Sequence, residues 1–402
     1  MGGFRLYSSG TRTYAVQVPG RRMAPVSVQA PAATTTTRML SLDVLRGVTI
    51  AFMIMVNNNG EHAYWPFEHS AWNGWTPTDL VFPTFLFLVG VTVVFSLESR
   101  LSRGVPPAAM IPRILRRFVI LFLLGIFVNG FPLFPWGHLR IYGVLQRIAI
   151  CYLVGSLLYL WNRRAANKVA LLVVLLVGYW VLMRWVPVPG YGVPGRDILF
   201  LDKDANWVAW LDRHIFPGRL YEGTRDPEGL LSDLPALGTT LMGMLTAMWL
   251  RTERSLDRKC AGVLGAGIVC IALGELWNPW FPINKKLWTS SYVLFAGGCS
   301  LVLWALLMWM TEIKGWKKGW TEFWLVFGTN AIAAYVFSEA LASLLGTLHA
   351  GPHESLSQWI YSRVFAPVHP PGIASLLYSI AFVLVCWLPV LILYRRKIFL
   401  KV

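Results

Sequence analysis

The stretch of this chain richest in chemistry runs Asn57-Asn58-Asn59-Gly60-Glu61-His62-Ala63-Tyr64-Trp65-Pro66-Phe67-Glu68-His69-Ser70-Ala71-Trp72-Asn73-Gly74-Trp75-Thr76-Pro77-Thr78-Asp79. It concentrates asparagines, two histidines and several carboxylates, and it contains no lysine or arginine. An imidazole beside amide donors can take a proton from a nucleophile while the amides stabilise a developing oxyanion. The same residue types also build a capped, water-exposed turn. The aromatic residues decide nothing, because Trp and Tyr gather at membrane borders in any case.

A second set of polar residues interrupts otherwise apolar runs. Asp43 and Arg46 sit early in the first run, and Arg113, Arg116 and Arg117 open the third. Gln146 and Arg147 fall inside the fourth, and Glu275, Asn330 and Glu339 inside later ones. An ionisable group within a membrane span costs about 2.5–3.5 kcal/mol on insertion scales, so it must face water, a ligand or a partner. Anchoring to lipid head groups accounts for Arg113, Arg116 and Arg117 as readily as ligand binding does. For Arg147 the structural alternative is a salt bridge to Asp43 or Glu275. Lys285-Lys286, ahead of Leu287-Trp288-Thr289, suits either an anionic substrate group or the head-group level.

Composition says what must position these groups. The chain has 402 residues, 55% hydrophobic and 14% charged, with a mean hydropathy of +0.53. An average soluble domain carries roughly 25% charged residues. Disorder, collagen and a disulfide scaffold are excluded, and the five cysteines read as small packing residues. The fold class is all-α: a polytopic membrane helix bundle. Ten stretches can each cross a bilayer, near 42–58, 79–98, 113–131, 141–161, 167–186, 229–250, 260–277, 289–310, 322–346 and 372–394, since a span takes about 20 helical residues. Gly297-Gly298 predicts a close helix approach. Residues 1–38 form a polar tail expected to be flexible and cytoplasmic, and 39–402 form the membrane domain, with extracytoplasmic loops 57–78 and 187–228.

The net charge is +16. Its lysines and arginines fall between apolar runs, which points to membrane topology and away from nucleic acid. With the N-terminus inside, 25 basic residues lie on the cytoplasmic side and 9 opposite, placing both termini in the cytoplasm. Loop 187–228 offsets its basic residues with seven acidic ones and is expected to form a small external cap.

Several motifs together resemble one family. Ser41-Leu42-Asp43-Val44-Leu45-Arg46-Gly47, Val56-Asn57, His69, Trp72-Asn73-Gly74 and Asp79-Leu80-Val81-Phe82-Pro83 look like the opening of the heparan-α-glucosaminide N-acetyltransferases. Gly143-Val144-Leu145-Gln146-Arg147, Asp226-Pro227-Glu228-Gly229-Leu230-Leu231-Ser232, Asn284-Lys285-Lys286-Leu287-Trp288-Thr289 and Gly328-Thr329-Asn330-Ala331 continue the match, over about 40–400. The bacterial branch is the most similar, which implies a multi-pass protein of the bacterial inner membrane.

The resemblance implies acetyl transfer from cytoplasmic acetyl-CoA to a glucosamine amine across the membrane, with no metal. It puts the active-site His at His69 rather than His62, and the oxyanion Asn at Asn57, with Asn58 as the alternative. Asp79 would orient His69 or attract the ammonium, and an N-cap is its structural alternative. Arg46, Arg116, Arg117, Gln146 and Arg147 are the candidates for holding CoA, because guanidinium groups suit phosphate. Asn58, Trp72, Asn73, Lys285 and Lys286 are the candidates for the sugar. Direct transfer is favoured over an acetyl-His69 intermediate, and a homo-oligomer stays open. Two rival readings are an O-acetyltransferase of an envelope glycan and a solute transporter, which would release no thiol from acetyl-CoA.

Overall fold

The computed structural model describes residues 39–317 and 319–400. The expected tail at 1–38 therefore lies outside the described residues. Long apolar runs become helices here because backbone N–H and C=O groups in lipid must find partners within their own segment.

The order is α1 (Leu40–Asn57), α2 (Val81–Leu101), α3 (Ile111–Gly130), α4 (Val144–Trp161) and α5 (Ala165–Trp185). The short α6 (Trp207–Ile215) follows, then α7 (Asp233–Leu250), α8 (Leu256–Trp277), α9 (Ser290–Met308), α10 (Trp320–Thr329) and α11 (Ala331–Thr347). The strands β1 (His349–Gly351) and β2 (Glu354–Ser355) pair antiparallel ahead of α12 (Leu356–Ile360) and α13 (Pro371–Arg395).

The all-helical bundle is as expected, but the number of spans is not ten. Among the described residues seven helices are long and apolar enough to cross a membrane, or eight if the α10–α11 pair, bent by 80°, counts as one. All ten stretches do contain helix. The stretch at 113–131 falls short because three arginines open α3. The one at 229–250 falls short because α7 starts on Asp233 and is rich in Gly and Thr. The one at 322–346 is broken at Asn330, whose side chain binds Ile398 O and Leu400 N instead of continuing the helix.

Helix α2 runs through the middle, with 67% of its span buried, against 22% for α5 and α8, which face outward. Its neighbour α7 touches it backbone to backbone. A Cβ on Gly90 would lie 1.9 Å from Thr240 O, and one on Gly243 would lie 2.0 Å from Phe87 O. Helices α8 and α9 meet the same way, with a Cβ on Gly298 only 2.7 Å from Gly267 O. Small residues permit such approaches, and in lipid close packing is a main source of helix association.

The connections separate to two ends. At one end Trp72 Nε1 donates to Leu201 O at 2.9 Å, Gly74 N to Ile283 O at 2.8 Å, and Arg140 pairs with Asp226. The segment 187–228 packs there, over a small core of Tyr179, Leu201, Val208, Phe281 and Leu287. At the other end Glu98 meets Tyr159, Arg163 and Arg251. Odd and even loops thus part to opposite ends of the bundle.

Gly243→Val should lower stability by about 1–3 kcal/mol, the usual cost of overpacking. A fall in the thermal unfolding midpoint in detergent measures this. Gly265→Ala, whose Cβ meets nothing within 4 Å, should unfold at or above the wild-type temperature.

Candidate active site

The site is built on one carboxylate. Thr76-Pro77-Thr78-Asp79 forms a capping box on the short turn Pro77–Leu80 that leads into α2. Asp79, only 1% exposed, accepts at Oδ2 from Thr76 N at 3.1 Å and from Ser70 N at 3.0 Å. Its Oδ1 lies 2.7 Å from His69 Nδ1. Thr76 is the N-cap, and Asp79, the N3 residue of the capping box, is also the partner of the histidine, with one oxygen serving each task. Tyr292 donates from its hydroxyl to Asp79 O, which fixes the backbone as well. A ring nitrogen bonded to a carboxylate carries the proton, so Nδ1–H faces Asp79 and the Nε2 lone pair points away.

The facing wall is the turn between α8 and α9. Asn284 Nδ2 donates to Asn73 Oδ1 at 3.1 Å, while Asn284 Oδ1 accepts from Leu287 N at 2.9 Å. This locks the Trp72-Asn73-Gly74 motif to the Asn284–Thr289 motif and carries Lys285 over His69. Lys285 Nζ lies 3.0 Å from Nδ1, 3.4 Å from Nε2 and 3.7 Å from Asp79 Oδ1. Burial pulls this ammonium below the ordinary lysine range, against the attraction of Asp79 and Glu228. Trp288, next but two along the chain, takes a left-handed backbone (φ 51°) that puts its indole wholly inside. A bulky residue held there signals a locally strained, over-determined turn.

Behind this wall lies an ion network. Arg147, fully buried, donates from Nε to Asp233 Oδ1 at 2.8 Å and from Nη2 to Gly229 O at 3.0 Å and to Ser232 Oγ. Its guanidinium stands 4.9 Å from the Trp288 ring centre. Arg140 binds Asp226 and Glu228 together, at 2.5 Å to each. Glu228 is held below the usual carboxylate range: burial works to raise it, and the charges of Arg140, Arg147 and Lys285 outweigh that. Asp212 is the exception. Burial pushes it up to about 7, and its Oδ2 has no hydrogen-bond partner.

The other expected residues divide. Asn57 donates from Nδ2 to Glu339 Oε1 at 3.0 Å, which leaves its second amide hydrogen for another acceptor. Asn58 is buried and bonded back to Ile54 O at 2.8 Å, a structural role that leaves Asn57 the better oxyanion candidate. Trp72 is tied to Leu201 O and flanked by Lys203 and Arg225, and Lys286 pairs with Glu222 at 2.8 Å.

The arginines expected at CoA do not come together. Arg46 bonds Asp43 and Gly328 O, Arg116 is exposed on α3, and Arg117 lies over the Tyr152 ring. Arg147 stands at the His69 end, bound to Asp233 and to neither Asp43 nor Glu275. Gln146 is fully buried there, and both its amide atoms lack partners.

Sequence reasoning missed Arg140, Asp233, Tyr292 and Trp288 as parts of the site. It counted the acids of loop 187–228 as charge compensation and met Asp226 and Glu228 only within a family motif, without a role. The signal for Asp233 and Glu339 was their place at the edge of, or inside, apolar runs. Among the described residues no group of three or more His, Cys, Asp or Glu is placed to hold a metal ion.

Fold and site together define a multi-pass membrane protein, all helix, with a histidine–carboxylate pair at one end of its bundle. A family described as heparan-α-glucosaminide N-acetyltransferase, catalytic, matches residues 38–275, and the chain belongs to that family. It is 28% identical over 417 residues to the human heparan-α-glucosaminide N-acetyltransferase, covering 91% of this chain and 60% of the human protein. To the mouse protein of the same name it is 29% identical over 355 residues, covering 76% of this chain and 54% of the relative. The chain thus spans little more than half the length of these relatives.

Asp233→Asn should strand the buried Arg147 and destabilise the protein by about 3–5 kcal/mol. Thermal unfolding in detergent reads this, and the double variant D233N/R147M should recover much of the loss.

Proposed function

We propose that the protein is a transmembrane N-acetyltransferase. It takes the acetyl group of cytoplasmic acetyl-CoA and joins it to the amine of glucosamine or a glucosaminide on the opposite face of the bacterial inner membrane. The observation that carries this is the His69–Asp79 pair at 2.7 Å, in a chain of this family.

The chemistry follows from that geometry. Glucosamine is mostly an ammonium at neutral pH, and only its neutral amine can attack. As the nitrogen bonds to the acetyl carbon, His69 Nε2 takes the nitrogen's proton, and Asp79 stabilises the imidazolium that forms. The free amide hydrogen of Asn57 supports the carbonyl oxygen as it becomes negative. The C–S bond then breaks, and the departing thiolate collects the proton from His69. The products are the amide and CoA thiol, by direct transfer with no acyl-enzyme. Of the residues expected at the sugar, Lys285 borders His69, whereas Trp72, Asn73 and Lys286 shape the wall.

The donor needs a second seat at the far end. A cavity of ≈ 660 Å³ opens there, lined by Glu98, Tyr159, Trp161, Asn162, Arg163, Arg164 and Arg251. Three guanidinium groups suit phosphates, and the exposed Trp161 offers a face on which a purine can stack. This seat replaces Arg147 in the donor site, while Arg46, Arg116 and Arg117 remain as basic groups near the inner ends of their helices. Between cavity and His69, Ser156 Oγ, Thr240 Oγ1 and both amide atoms of Gln146 are buried without partners. The amides and hydroxyl of a pantetheine arm would satisfy such groups, whereas empty burial leaves each at a cost of about 1–3 kcal/mol.

With purified protein, acetyl-CoA and glucosamine, His69→Ala should cut thiol release and N-acetylglucosamine formation by about 10²–10⁴-fold. Asn57→Ala should lower kcat by about 10²–10³-fold. Neither should change the unfolding midpoint. Failure of the wild type to release thiol would overturn the proposal.

Arg251→Gln should raise KM for acetyl-CoA by about ten- to a hundredfold with little change in kcat, as loss of one charge-assisted contact of about 1.5–3 kcal/mol predicts. Steady-state rates with acetyl-CoA and its 3′-dephospho form should show the variant losing its preference between them.

A further inference from the structure

Lys285 does not sit where a hydrogen-bond partner of an imidazole should sit. Its Nζ is nearly equidistant from the two ring nitrogens of His69, at 3.0 and 3.4 Å. In the ring plane such a point would collide with Cε1, so the ammonium lies over the ring face. Both in-plane directions stay available: Nδ1–H goes to Asp79 Oδ1 at 2.7 Å, and the Nε2 lone pair remains open. Lys285 is thus a charge held against the ring.

We infer that Lys285 is a positioning residue that holds down the proton affinity of His69 and keeps the imidazole neutral, opposite in sign to Asp79. The inference rests on the acetyl-transfer reading for its purpose but on geometry alone for its physics. An anion beside an imidazole favours the charged ring, and a cation within about 4–6 Å opposes it by the same Coulomb term. His69 is faced by Asp79 from the start of α2 and by Lys285 from the α8–α9 turn. Lys285 is in turn faced by Asp79, Glu228 and Lys286. The neighbouring Glu68 is exposed.

The consequence is mechanistic. With Asp79 alone, the pull toward the charged ring would be unopposed. The same fixed cation also repels the ammonium form of the amino sugar and favours the neutral amine that can attack. The anchoring sets where this lysine starts from: Asn284 ties its turn to Asn73 and to Leu287 N, which fixes the backbone from which the side chain reaches His69.

The sign of the expected effect is definite. Removing the cation leaves Asp79 unopposed, His69 binds its proton more tightly, and the acid limb of the pH profile moves to higher pH. The displacement should be about one pH unit, the low end for a neighbouring charge because His69 is partly exposed. Diethyl pyrocarbonate acylates only neutral imidazole. Its rate of reaction at His69, followed by mass spectrometry of the peptide across pH, therefore reads the ring without relying on turnover.

The midpoint should rise by about one unit in Lys285→Met and Lys285→Gln and return toward wild type in Lys285→Arg, which keeps the cation. The acid limb of kcat/KM should follow it. A midpoint that is unchanged or lower in both neutral variants overturns the inference. A shifted midpoint in a protein whose wild type releases no thiol would sustain the role of Lys285 while overturning acetyl transfer.

Discussion

The carboxylate of Asp79 is the point on which the rest of the site depends. It is buried in the short turn that leads into the central helix, where backbone N–H groups of the preceding loop need an acceptor. One oxygen takes the amides of Ser70 and Thr76, which folds the loop back onto the helix it precedes. The other oxygen is then the nearest acceptor for the His69 imidazole. Helix capping and histidine orientation are thus a single electrostatic event, and the rigidity of α2, packed backbone to backbone on α7, passes directly to the ring.

The second organising constraint is that charge within the bundle must be paired. Arg147 has no path to water, so Asp233, Ser232 and Gly229 O surround it. Arg140 collects Asp226 and Glu228 for the same reason. These pairs draw the segment 187–228, the α8–α9 turn and the first loop onto one end of the bundle. The network also gives Lys285 the negative surroundings that let a half-buried ammonium exist beside His69. At the opposite end Glu98 sits among Arg163, Arg251 and Tyr159, but there the arginines outnumber the acid and leave a basic mouth.

Parts of this were legible before any coordinates. Apolar runs of span length can only be helices in lipid, so the class of fold followed from hydropathy, and the separation of loops to two ends followed from successive runs each crossing the bundle. The span count was less secure, because hydropathy does not show that Asn330 would leave its helix to bind the C-terminal backbone. His69, Asn57 and Asp79 were found through motifs and not through spacing. Arg147 was assigned to the wrong end of the bundle: an arginine inside an apolar run says only that it needs a partner, and Asp233 is 86 residues away in the chain.

What the sequence determined by itself was local: which segments are helical, which residues could move a proton, and which loops share a side. Those depend on solvent partitioning and on side-chain chemistry, and both are properties of the residues themselves. Only the tertiary structure decided that Lys285 lies over the His69 ring, that Glu339 takes one hydrogen of Asn57, and that the basic mouth is lined by Arg163, Arg164 and Arg251. Each is a meeting of segments far apart in the chain. Coulomb energy falls with distance and orientation, so the same residue types have no defined effect on one another until the packing of the helices sets both.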